Sequence, residues 1–267
     1  MTAGLQHTDT RTRGARNLSA ALCELAELHF EIGDWWAARS CAGEALRTAR
    51  SCDRQRELMH ALARLAGVEA GLGEAGPCRR HAAEAVRLSR ELGEPCVEAL
   101  AGEVLGFLEL GLASPRSAVD QLERVERIWR TSRQARGMAR RWPIHLADAH
   151  ARLGDRAAAE AALQRLDRRA TGNGSFVLAA AYERSRGMLA GGDAFEARFR
   201  RALQWNAWAK QPFELARTQL CFGERLRRAG RSGPARAQLT AARSTFGSLG
   251  ARPWAAAAAR ELELTAA

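Results

Sequence analysis

Apolar residues recur along the chain at three- and four-residue intervals, in stretches interrupted by short glycine-centred turns. Alternating β-branched runs, the mark of a half-buried strand, do not occur. The pattern predicts an all-helical chain. Aligned against itself, the chain repeats every forty residues or so. "LAELHFEIGDWWAARSCAGEAL" from Leu25 matches "LAGVEAGLGEAGPCRRHAAEAV" from Leu65, with Gly33 over Gly73 and Ala45 over Ala85. Further units start at Val104, His145, Tyr182 and Leu220, with turns expected at Gly111, Gly154, Gly192 and Gly230. A last amphipathic piece, "PWAAAAARELEL", begins at Pro253.

Each unit reads as a helix, a tight turn and a second helix. Small residues (Ala38, Ala118, Ala235) follow the turn, where two helices must approach closely. Larger ones (Leu122, Leu163, Phe199, Leu239) come one turn later and fill the space between hairpins. Asp34, Asp155 and Asp193 are placed to cap the second helices. A lone hairpin cannot bury its apolar stripe, so neighbours must stack. The expected fold is an all-α, tetratricopeptide-like solenoid, a right-handed superhelix of about six hairpins plus a C-terminal helix. First helices should line its concave wall and second helices its outer wall. The expected division is a flexible arm over 1–16, repeats over 17–250 and a capping helix over 251–267.

Charge adds less than its size suggests. The formal net charge is +11, but arginine supplies all but one of the 41 basic side chains. The arginines run the length of the chain among glutamates, whereas a nucleic-acid binder usually clusters Lys and Arg on one element. The stretch "RIWRTSRQARGMARRW" (127–142) is the densest, with six arginines, two tryptophans and no acid. It falls at the junction between the third and fourth units. Its arginines are expected to face solvent, with Trp129 and Trp142 acting as wedges between hairpins.

Chemistry-bearing motifs are few. Six cysteines include no C-x-x-C pair, and Cys78 with His81 lacks a second pair to complete a zinc site. They read as small buried hydrophobes in a reducing cytoplasm. His60, His81, His145 and His150 are scattered without nucleophile or paired carboxylates, so no enzyme activity is expected. No catalytic residue, cofactor site or metal site is assigned. Lys210, the single lysine, lies in "WAKQPF" outside any glycine-rich loop, which excludes ATP binding by a phosphate loop. No apolar run is long enough to suggest a membrane helix.

Two stretches carry a family resemblance. "GMARRWPIHLADAHARLGDRAAAEAALQRL" (137–166) has a Pro-containing helix, a Leu-Gly-Asp turn and an Ala-rich helix. "PFELARTQLCFGERLRRAGRSGPARAQLTAARSTFGSLGARPWAAAAARELELT" (212–265) has an Ala-Arg-Thr helix, a Gly-Glu-x-Leu-Arg-Arg approach to a turn, a Leu-Gly-Ala-x-x-Trp-Ala joint and an Arg-Glu-Leu tail. From about Leu58 onward the chain resembles the helical-repeat arm of the large ATP-binding LuxR-family transcriptional regulators, relatives of the maltose-regulon activator. The nucleotide-binding and helix-turn-helix modules of that family have no counterpart in these residues, so sequence-specific DNA binding is not expected.

The resemblance implies a cytoplasmic, signal-receiving interaction module. A partner protein, a peptide or a small inducer would bind in its concave groove. The repeat frame projects Glu27, Arg141, Asp148, Arg186, Glu224 and Arg227 from first helices towards that groove, as candidate contacts for a polar ligand or an acidic peptide end. The alternative is sequence-independent nucleic-acid binding through the arginine-rich surface.

Overall fold

A computed structural model describes residues 2–135, 141–166 and 175–266, with side chains from Asn17 onward. Arg136 and Arg140 of the arginine-rich stretch lie outside the described residues. Among those described there are thirteen helices and no strand. They are α1 (Thr2–Ile32), α2 (Trp35–Ser51), α3 (Gln55–Leu72), α4 (Ala75–Leu92), α5 (Pro95–Gly111), α6 (Pro115–Thr131), α7 (Trp142–Leu153), α8 (Arg156–Gln164), α9 (Phe176–Leu189), α10 (Ala194–Ala209), α11 (Pro212–Arg228), α12 (Ser232–Leu249) and α13 (Arg252–Ala266). Six hairpins and a tail helix are thus in place. Residues 1–16 are not an arm set apart from the repeats. The backbone is helical from Thr2, because the segment has no proline and nothing interrupts a helix growing back from Asn17.

The Leu-Gly-Asp turn shows why the hairpins close where they do. Gly154 ends α7 at φ +80°, a left-handed conformation that costs glycine nothing. Its N–H donates to Ala151 and that of Asp155 to the His150 carbonyl at 3.0 Å. The Asp155 carboxylate then accepts from the Ala158 N–H at 3.0 Å, capping α8. Asp34 caps α2 in the same way through Ala37. Asp193 occupies the equivalent place before α10 but makes no cap bond, because its backbone is already helical at φ −87°, ψ −2°.

The third turn departs from the sequence expectation. Gly111 is still helical, and Ala113 takes the left-handed position at φ +57°. Gly111 is required for a different reason. A Cβ there would stand 2.9 Å from the indole nitrogen of Trp254, so only a glycine admits that ring.

Large residues on the second helices insert against glycines on the first. A Cβ on Gly106 would lie 2.5 Å from Leu122, one on Gly187 2.8 Å from Phe199 and one on Gly223 2.5 Å from Leu239. All three insertions are fully buried, as are Ala38, Ala118 and Ala235 beside the turns. Truncating such a Phe or Leu to Ala costs roughly 2–5 kcal/mol, so these contacts weigh heavily in hairpin closure.

The chain forms two compact units, residues 1–105 with 124–139, and residues 106–123 with 140–267. In the first, α1 packs on α2 and α3, around a core of Leu22, Leu46, Met59, Leu62, Leu65, Leu88 and Val97. In the second, α9 lies between α7 and α11, and α13 closes on α12 and α11. Its apolar core stacks Phe199 on Phe222 at 5.0 Å, with Phe195 edge-on to both.

Candidate functional site

The first helices of the second unit carry charge where apolar residues are expected. On α7, Asp148 and Arg152 stand one turn apart and share a face. Arg152 Nε donates to Asp148 Oδ1 at 3.0 Å. On α11, Glu214, Arg217 and Thr218 share a face in the same way, and Arg217 Nη1 reaches Glu214 at 3.4 Å. Arg217 Nη2 then crosses to Asp148 Oδ2 at 3.0 Å, joining α11 to α7. From α9, Arg184 donates to Glu214 Oε2 at 2.8 Å and to Thr218 Oγ1 at 3.3 Å. Thr218 accepts a further bond from Asn206 of α10 at 2.8 Å and donates to the Glu214 carbonyl at 3.1 Å. At the margins, Arg152 lies 3.8 Å from Glu224, and Arg141 lies 3.9 Å from Glu214.

Burial sets the energetics of this cluster. The Arg184 and Arg217 side chains are 2% and 1% exposed, and Asp148 and Glu214 are buried with them. Charges taken out of water demand partners, and each of these has at least two. Burial alone would raise the carboxylate pKa values. For Asp148 the guanidinium groups of Arg152, Arg217 and Arg184 outweigh it and hold the carboxyl below its usual range. Arg184, Arg217 and Arg141 do the same for Glu214. Glu224 lacks such support, and burial pushes its pKa up. Burial also drives Cys221 up to about 12, a thiol that stays protonated.

An aromatic wall backs the cluster. The Arg217 guanidinium carbon sits 5.0 Å from the Trp254 ring centre and 5.7 Å from that of Phe107. Phe213 and Phe246 complete the wall through edge and tilted contacts to Trp254. His145 meets Phe107 edge-on at 5.5 Å. Burial, seconded by Arg217, pushes its pKa down to about 3, so the ring is neutral. Its Nδ1 has no hydrogen-bond partner among the described residues.

The structure brings three of the six sequence-predicted contact residues, Arg141, Asp148 and Glu224, into this cluster. Arg227 pairs with Glu261 of α13 at 2.7 Å instead. Arg186 is half-buried on α9 outside the chain of ion pairs. Glu27 belongs to the first unit, where it pairs with Arg64 at 2.5 Å. Sequence reasoning missed Arg152, Arg184, Glu214, Arg217, Thr218 and Asn206. The i, i+3, i+4 spacing of Glu214, Arg217 and Thr218 was the available signal, and these residues lie inside the Ala-Arg-Thr motif that carries the family resemblance.

The arginine-rich stretch divides. Arg127, Arg130 and Arg133 are exposed, and Arg130 pairs with Glu126. Arg141 instead approaches buried Glu214. Trp142 is fully buried, while Trp129 is only half-buried. Many other arginines are matched locally: Arg39 pairs with Glu74, Arg50 with Glu84, Arg56 with Glu94 and Arg90 with Glu98.

No protein-family model and no curated protein matches the chain. Solved structures do. The chain is similar to the apo form of RapI, with a TM-score of 0.66 and 12% identity over 92% of this chain and 85% of that one. It is also similar to a Rap protein complexed with competence and sporulation factor, with a TM-score of 0.61 and 13% identity over 90% of this chain and 72% of that one. The likeness is one of fold, and it makes this chain an all-α protein of the tetratricopeptide-like helical-repeat class.

Proposed function

We propose that the chain is a non-enzymatic regulatory interaction module that binds a protein or peptide partner at the margin of the α7–α9–α11 charge cluster. One observation carries the reading. The cluster holds four guanidinium groups (Arg141, Arg152, Arg184, Arg217) against three carboxylates (Asp148, Glu214, Glu224). The surplus positive charge falls on its margin, where the Arg141 and Arg152 side chains are 30% and 23% exposed. Arg152 Nη2 is buried with no hydrogen-bond partner among the described residues. A carboxylate from a partner, at a peptide C-terminus or on an acidic side chain, would satisfy that donor and balance the charge. The Rap fold supports the reading, since one such protein was crystallised with competence and sporulation factor. The resemblance to LuxR-type arms points the same way, towards receipt of a cytoplasmic signal, and leaves room for a small acidic inducer.

The test is a binding screen of short peptides with free and with amidated C-termini, and with or without internal acids. Binding should require a carboxylate and should fall at least about tenfold in Arg141→Ala and Arg152→Ala, as expected for loss of a charge-assisted bond. Equal binding of amidated neutral peptides would sink the proposal. The net charge of +11 favours a second reading, sequence-independent nucleic-acid binding. Its signature is affinity that falls steeply with salt and survives both substitutions.

A further inference from the structure

The first helix carries an apolar stripe that its own fold leaves uncovered. Leu18, Ala21, Leu25, Leu28 and Ile32 follow one another at intervals of three, four, three and four, the a/d spacing of a coiled coil. All five are exposed, the leucines and isoleucine by 44–63%. The stripe is distinct from the face α1 buries, which carries Ser19, Leu22, Cys23 and Ala26 against the rest of its unit. It runs about 21 Å along the helix at 1.5 Å per residue, and Trp36, 82% exposed, lies just beyond its end. Four large aliphatic side chains left in water at coiled-coil spacing mark an interaction surface.

Charge selects the occupant. With Leu18 and Leu25 as a positions, Glu24 and Glu31 are g positions and Glu27 lies behind them, so an acidic row borders the stripe. The e positions are Leu22 and His29, so the stripe has no cationic row of its own. A second copy is therefore a poor match. Antiparallel pairing would set the two glutamate rows against each other, and parallel pairing would offer Glu24 only His29. We infer that the α1 stripe docks an amphipathic helix of a partner protein, with leucine-type residues at heptad spacing and Lys or Arg along its flank. This is independent of the peptide site on α7, α9 and α11. The net charge of +11 repels cationic helices in general, so any that bind must do so through local complementarity.

The probe is a labelled heptad peptide with Leu at a and d and Lys at e and g, compared with the same peptide carrying Glu in place of Lys. Anisotropy titrations should show the Lys peptide binding at least about tenfold more tightly than the Glu peptide. Leu25→Asp/Leu28→Asp should abolish binding while circular dichroism stays unchanged, since both residues are exposed. Glu24→Lys/Glu31→Lys should reverse the preference. Equal affinity for the two peptides, or binding that survives the double aspartate change, would overturn the inference. So would a wild-type dimer in light scattering that Leu25→Asp/Leu28→Asp dissociates, because the occupant would then be a second copy.

Discussion

Arg217→Met is the sharpest test of the buried charge cluster. The side chain is 1% exposed, so its guanidinium contributes almost nothing through contact with water. Its replacement removes the bonds to Asp148 at 3.0 Å and Glu214 at 3.4 Å, and the cation–π contact to Trp254 at 5.0 Å. Breaking one partner of a buried ion pair costs about 3–5 kcal/mol, because the remaining charge is stranded. Here neither carboxylate is stranded completely. Asp148 keeps Arg152 at 3.0 Å, and Glu214 keeps Arg184 at 2.8 Å. Met also fills most of the vacated volume against Phe107 and Trp254. The loss should therefore fall at the lower end, about 3 kcal/mol. Adding Asp148→Asn removes the stranded acid. The double variant should then be about 1–2 kcal/mol more stable than the sum of the single effects predicts, the coupling expected of contacting charges. Urea unfolding gives the total, and native-state hydrogen exchange localises it to α7, α9 and α11. A cost under about 1 kcal/mol, or additive single effects, would show that the cluster is not an integrated unit.

The other expectations can be tested alongside. His145 is held neutral with a pKa near 3, against about 6.5 in the unfolded chain, so the unfolded state takes up the proton first and stability falls as pH drops below about 6.5. That should cost about 2 kcal/mol between pH 7.5 and 5, a slope that His145→Gln removes, and unchanged pH dependence of urea midpoints in that variant would refute it. Gly223→Ala drives a methyl to 2.5 Å from Leu239 and should cost about 1–3 kcal/mol, partly recovered by Leu239→Ala; a neutral melting temperature would contradict the packing. Trp142→Ala should cost roughly 3–5 kcal/mol and half-buried Trp129→Ala clearly less, whereas Arg133→Gln should stay within about 0.5 kcal/mol by the same melts.

The hairpins were legible because two local signals coincide. Amphipathic spacing marks each helix, and Leu-Gly-Asp marks a turn in which glycine ends one helix and aspartate caps the next. The third turn was misplaced because Gly111 looks like the same signal but answers a tertiary demand, the ring of Trp254. Asp193 was misread because capping depends on the backbone conformation around it, which residue type does not reveal. The charge cluster was legible only at its edges. A glutamate or arginine on an amphipathic helix normally belongs to the wet face. Arg217 and Arg184 are buried only because their partners arrive from other hairpins, 69 and 30 residues away, and spacing within one helix cannot announce that.

The cluster also bears on why a repeat protein would place ions between stacked helices. Apolar stripes of Ala and Leu fit one another in several registers, and a stack held by them alone could slide by a turn. Bonds from Arg217 to Asp148, from Arg184 to Glu214 and from Asn206 to Thr218 are satisfied in one register only, and they span α7, α9, α10 and α11 together. A slip of one turn would leave several buried charges without partners, at a cost that apolar packing could not offset. The same fixed register holds Arg141 and Arg152 at a constant separation on the margin, so a partner's carboxylate would meet donors already in position and lose little affinity to ordering them. On this argument, uncoupling the register should weaken peptide binding before it unfolds the helices. Thr218→Val tests that directly. It removes the hydroxyl shared by Asn206, Arg184 and the Glu214 carbonyl, yet touches neither Arg141 nor Arg152. Carboxylate-peptide affinity should fall several-fold while the far-ultraviolet circular dichroism stays unchanged, and full retention of affinity would separate the interior of the cluster from the proposed site at its edge.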